Sequence, residues 1–94
     1  MTDISKTSTV SAAPGQVSST VEGEAVILDV ESGVYYGLNP VGAWVWEELQ
    51  SPKTVSGLLD DLVAEFDVDA ERGEADLMAL LEDLANAGLI EVKE

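Results

Sequence analysis

Between Val17 and Leu38 the chain is rich in β-branched residues and its side chains sort by alternate positions; after Pro40 the apolar positions recur every third or fourth residue. The first rhythm predicts strands and the second predicts helices. Three runs carry the strand rhythm: Val17 to Val21, Ala25 to Val30, and Val34 to Leu38. In the second run Val26, Leu28 and Val30 share one face and Ile27 and Asp29 the other. In the third, Val34, Tyr36 and Leu38 lie opposite Tyr35 and Gly37. Glu22-Gly23-Glu24 and Glu31-Ser32-Gly33 make the turns, the second because Gly33 tolerates a positive φ. The three runs therefore form an antiparallel meander.

The change of rhythm falls at Asn39-Pro40. Asn39 is a good N-cap and Pro40 suits the first helical position. A first helix runs to about Leu49 with Val41, Trp44, Val45 and Leu49 as its stripe, and Ser51-Pro52-Lys53 breaks it. Thr54 caps a second helix striped by Val55, Leu58, Leu59, Leu62, Val63 and Phe66. Asp69 caps a third from about Ala70 to Ala87, stopped by Gly88 at the C′ position. Leu89-Ile90 packs back, and Glu91 to Glu94 form a last short strand or a tail. The fold class is α+β: a three-stranded antiparallel β-meander followed by three α-helices, in the order βββααα.

Ahead of this pattern, residues 1–15 are rich in Ser, Thr and Ala and close on Pro14-Gly15. They read as a flexible tail, with Val10 a candidate start for a short strand, and residues 16–94 read as the single domain. A chain of 94 residues fits one such domain. The N-terminus has no signal-peptide core and no apolar run reaches the roughly 18 residues of a membrane span, so the expected location is the cytoplasm.

Composition narrows the chemistry. The absence of cysteine and histidine removes thiolate metal sites, cysteine nucleophiles and the commonest general base. Nineteen acidic residues against four basic ones give a formal charge of −15, which repels nucleic-acid phosphates and anionic membranes and attracts cationic partners. The carboxylate pairs Glu47-Glu48, Asp60-Asp61 and Glu82-Asp83 are helix neighbours diverging by about 100°, so they read as solvated faces rather than acid–base dyads. Asp67, Asp69 and Glu71 open like a calcium loop, but Arg72 holds the sixth place and Met78 the twelfth, where glycine and a bidentate Glu are needed. Ser56, in Val55-Ser56-Gly57-Leu58, lacks the Asp-Ser-Leu context of an acyl carrier protein. No catalytic residue, metal ligand or cofactor is expected.

Two features point instead to binding. The run Val34 to Leu38 has one neighbour in the meander, which leaves a free edge without Pro or Lys and with Gly37 exposing backbone. Such an edge beside a groove suits β-augmentation by an extended peptide; cover by the tail or a second copy is the alternative. In the third helix Leu77, Leu80, Leu81 and Leu84 centre an apolar arc that Met78, Ala85 and Ala87 widen to about half the circumference. Either part of that arc faces a groove or the domain wraps around it. Trp44 reads as core, and Trp46 as partly exposed or packed at the end of the sheet.

The ordered set Leu28-Asp29, Gly33, Tyr36, Leu38-Asn39, Gly42, Trp46 and Leu49, then Thr54-Val55, Phe66-Asp67-Val68, Leu80-Leu81, Leu84 and Gly88-Leu89-Ile90, resembles the family that includes the D protein of pyrroloquinoline-quinone biosynthesis (PqqD-like). The resemblance covers about residues 20–92 and implies a RiPP recognition element, a small winged-helix-like domain that binds leader peptides of ribosomally made, post-translationally modified peptides. Being free-standing, the chain most resembles the discrete proteins of lasso-peptide biosynthesis. The resemblance implies a non-catalytic peptide chaperone. The leader adds antiparallel to the third strand, through the backbone of Val34, Tyr35, Tyr36 and Gly37, and lies in a groove edged by Arg72, Asp76, Leu80, Asp83 and Leu84. The opposite edge, Met78, Glu82 and Ala85, is the fallback. Acidic groups at the rim suggest a Lys or Arg in the leader. The implied partners are the leader peptide, a leader peptidase and a macrolactam cyclase; a radical enzyme of quinone-cofactor biosynthesis replaces these in the alternative reading. A winged-helix DNA-binding protein is a third reading, opposed by the charge of −15 and the lack of a basic third helix.

Overall fold

The computed structural model describes residues 4–22 and 24–93. The first three residues of the expected tail, Gly23 of the first turn and Glu94 of the last segment lie outside the described residues. In chain order the elements are β1 (Thr9–Ala12), β2 (Gln16–Val21), β3 (Glu24–Asp29), β4 (Val34–Leu38), α1 (Pro40–Glu48), β5 (Lys53–Thr54), α2 (Val55–Phe66), α3 (Ala70–Asn86) and β6 (Ile90–Lys93). The chain is α+β, and the expected meander is the sheet β2-β3-β4.

The helix signals act where the sequence puts them. The Asn39 side chain accepts a 2.8 Å hydrogen bond from the Gly42 amide, and Thr54 Oγ1 accepts one of 3.2 Å from Gly57. Asn39→Ala is expected to cost about 1 kcal/mol, read as a lower urea midpoint with unchanged slope. Asp69 occupies the N-cap of α3 but makes no capping hydrogen bond. At the other end of α3, Gly88 (φ +77°) turns the chain and the Leu89 amide donates to the Leu84 carbonyl at 2.9 Å. This is the hydrogen bond of a Schellman stop.

Two expectations need correction. Residues 9–12, placed in the flexible tail, form β1, the centre of a second sheet ordered β5-β1-β6. Thr9 faces Lys93, and Val10, fully buried, faces Val92 and Lys53. The Ala12 and Ala13 amides donate to the carbonyls of Leu49 and Leu89, and the Val55 and Ser56 amides donate to those of Ser8 and Lys6. One buried valine in a Ser/Thr/Ala-rich stretch gives no periodicity, and its partners Lys53 and Val92 are both far away in sequence. The tryptophans are also exchanged. Trp46 is 3% exposed and belongs to the core, whereas Trp44 is only partly buried, edge-on to Phe66 with centroids 5.6 Å apart. Of the expected α1 stripe, Val45 and Leu49 are buried, joined by Gly42, Ala43 and Trp46, while Val41 is exposed and Trp44 half-buried. A Cβ at Gly42 would meet the Leu38 Cβ at 3.3 Å, so this face of α1 can close tightly on the end of β4.

Packing follows the strand alternation. Ala25 and Ile27 of β3 are buried, and their partners Leu38 and Tyr36 on β4 are half-buried. Val26 and Tyr35 face outward. Behind the sheet, Leu58, Leu77 and Leu81 close the core with α2 and α3.

Candidate functional site

β4 pairs with β3 in the register Leu38↔Ala25, Gly37↔Val26, Tyr36↔Ile27, Tyr35↔Leu28 and Val34↔Asp29. It ends the sheet, so among the described residues no strand pairs with its other side. An edge strand turns the amide and carbonyl of alternate residues outward, ready for another chain.

α3 runs alongside. Tyr35, Tyr36, Gly37 and Leu38 on one wall and Leu80, Asp83, Leu84 and Ala87 on the other enclose a depression of about 390 Å³. A second depression of about 220 Å³, lined by Asn39, Val41, Gly42, Asp76 and Leu80, adjoins it. Leu80 lines both, so they form one trough. From Asp76 to Ala87, α3 rises roughly 16 Å at about 1.5 Å per residue. That length matches about five residues of extended chain.

The sequence-derived residues divide as follows. Tyr35, Tyr36, Gly37, Leu80, Asp83 and Leu84 come together in the larger depression, and Asp76 lines the smaller one. Leu84 is 3% exposed and is part of the core, so it can only be the floor, while half-buried Leu80 is open to the trough. Val34, at the hairpin end, and Arg72 line neither depression. Arg72 is largely exposed and its Nε lies 4.0 Å from an Asp76 carboxylate oxygen. Met78 and Ala85 of the fallback edge pack against the core. Leu38 and Ala87 were not chosen from the sequence, yet both were signalled: Leu38 shares the Tyr36 face, and Ala87 follows Leu84 and Leu80 at helical spacing.

Among the described residues no three acidic side chains are placed to hold a metal ion, Asp67, Asp69 and Glu71 included. No helix among them is long and apolar enough to cross a membrane. A cleft of about 330 Å³ between α1 and α2 sets Trp44 beside Glu48, Asp61 and Glu65. Lys6, whose hydrogen bond to Glu74 at 2.7 Å and attraction to that charge raise its pKa, ties the N-terminal segment to α3 about half a turn around from Asp83. What the trough offers is unpaired main chain beside an apolar wall, which is equipment for holding an extended peptide.

Comparison with known proteins bears on this geometry. The family model described as coenzyme PQQ synthesis protein D (PqqD) matches residues 24–90. Among solved structures, TbiB1 in complex with the TbiA(beta) leader peptide superimposes with a TM-score of 0.79 at 34% identity, covering 86% of this chain and 94% of that one. A lasso peptide synthetase B1 complexed with the leader peptide gives a TM-score of 0.75 at 24% identity, covering 87% and 96%; at that identity the likeness is one of fold. No curated protein matches the chain.

Proposed function

Because this chain belongs to the PqqD family, we propose that it binds the leader segment of a ribosomally made precursor peptide and does no chemistry on it. The leader adds as a strand to the free side of β4, antiparallel to it, and lays alternate side chains into the trough against α3. The observation that carries this reading is the edge strand β4 flanked by a trough that Leu80, Leu84 and Ala87 make apolar. The similarity to two proteins solved with leader peptides supports it. Main-chain hydrogen bonds supply affinity and the pockets supply selectivity. Held this way, the remainder of the precursor is kept at high local concentration for a separate leader peptidase and a macrolactam cyclase. The name of the matching family keeps a quinone-cofactor pathway as a second reading, in which a radical enzyme takes the cyclase's place; the same trough serves either.

The test is titration of isotope-labelled protein with a synthetic leader from the precursor gene nearest to this one. Binding at micromolar affinity or better, with the largest amide shifts at Tyr35 to Leu38 and along Leu80 to Ala87, is expected. Shifts confined to the Trp44 cleft or to β1 and β6 would remove the proposal.

A further inference from the structure

The trough has an electrical polarity. At the Asp76 end the carboxylate has Arg72 for a neighbour, and the depression lies against the first turn of α1, the positive end of that helix. The other end is different. Among the described residues no cation pairs with Asp83, although Lys6, Lys53 and Arg72 each face an acid elsewhere. The last turn of α3 carries no basic residue, so the negative end of its dipole is uncompensated beside Asp83. Tyr35, 69% exposed, and Tyr36 line the same depression as Asp83. A carboxylate with aromatic rings around one apolar pocket suits an ammonium or guanidinium whose stem lies along the leucines. The chain's overall charge of −15 acts in the same direction.

We propose that the Asp83 end of the trough selects a lysine or arginine of the leader. This rests on the reading of the trough as a leader-binding site. Asp76 shares its depression with Asn39, just past the C-terminal end of β4, and Asp83 shares its own with Tyr35 to Leu38, so in a leader antiparallel to β4 the cation lies C-terminal to the residues that pass Asp76. The charge sets which leaders are taken and how fast they arrive, and the main chain and leucines hold them.

The test is selection of a displayed library of random peptides on the wild-type protein and on Asp83→Lys, followed by affinities of the recovered peptides. Wild type is expected to enrich Lys or Arg at one position fixed relative to the apolar anchors, and Asp83→Lys to lose or invert that preference. Asp83→Asn should weaken a recovered peptide about 3- to 5-fold, as an exposed ion pair allows, and only when the peptide has its base. Asp60→Asn removes the same charge from α2 and is expected to change nothing. Recovered peptides that need Leu80 but show no basic preference would overturn this proposal and leave the leader-binding reading standing. No recovered peptides, or peptides indifferent to Leu80→Arg, would overturn both.

Discussion

Val10→Asp is expected to unfold the protein at room temperature. Val10 has no exposed surface and lies in the central strand of the β5-β1-β6 sheet, between Lys53 and Val92. A carboxylate there loses the apolar burial of the valine, about 1.5 kcal/mol, and must be desolvated or protonated at a further cost of several kcal/mol. Against a total stability of about 5–14 kcal/mol for a chain this long, the loss is decisive or nearly so. Val10→Ala is the graded version, expected to cost about 2 kcal/mol from two lost methylene equivalents and the gap they leave. Circular dichroism melts and urea titrations read both. A Val10→Asp protein with an unchanged midpoint would show that the N-terminal segment is dispensable to the core.

The second large effect separates two neighbouring leucines. Leu80→Arg is expected to weaken leader binding by about 30-fold, the roughly 2 kcal/mol of an interface hot spot. Stability should move by less than about 1 kcal/mol, because Leu80 is only half-buried and an arginine there can reach solvent. Leu84→Arg is expected to collapse the fold, since Leu84 is 3% exposed within the core, and so says nothing about binding. Calorimetry against the synthetic leader, paired with a melt of each variant, distinguishes the cases. Equal binding by wild type and Leu80→Arg would move the peptide site elsewhere.

These two leucines also show how far local pattern reaches. Their spacing places both on the same side of α3, and periodicity cannot say which is floor and which is wall; that depends on where β4 ends. The meander, Asn39-Pro40, Thr54 and Gly88 were legible because each is a local rule: alternation, a side chain capping an amide within reach, a residue tolerant of positive φ. Val10 and Glu91 to Glu94 were candidate short strands, but their pairing into a second sheet was not legible, because β5 has two residues and β1 and β6 four each, and the β1–β6 pair joins distant parts of the chain. The tryptophans were misassigned for a related reason. Both registers of α1 are apolar, and the choice between them is made by the close approach of Gly42 to Leu38. In the trough, Tyr35 to Gly37 and Asp83 followed from edge and arc. Arg72 was drawn in because it continues the edge of the apolar arc of α3 where charged and apolar residues meet, whereas its side chain is turned to solvent beside Asp76.

Thr9 and Lys93 face one another across β1 and β6, in the sheet that does not contain β4. β1 and β6 thus lie side by side although they come from opposite halves of the chain. A fusion partner joined beyond β6 is expected to leave the free edge of β4 open, because β6 belongs to the other sheet.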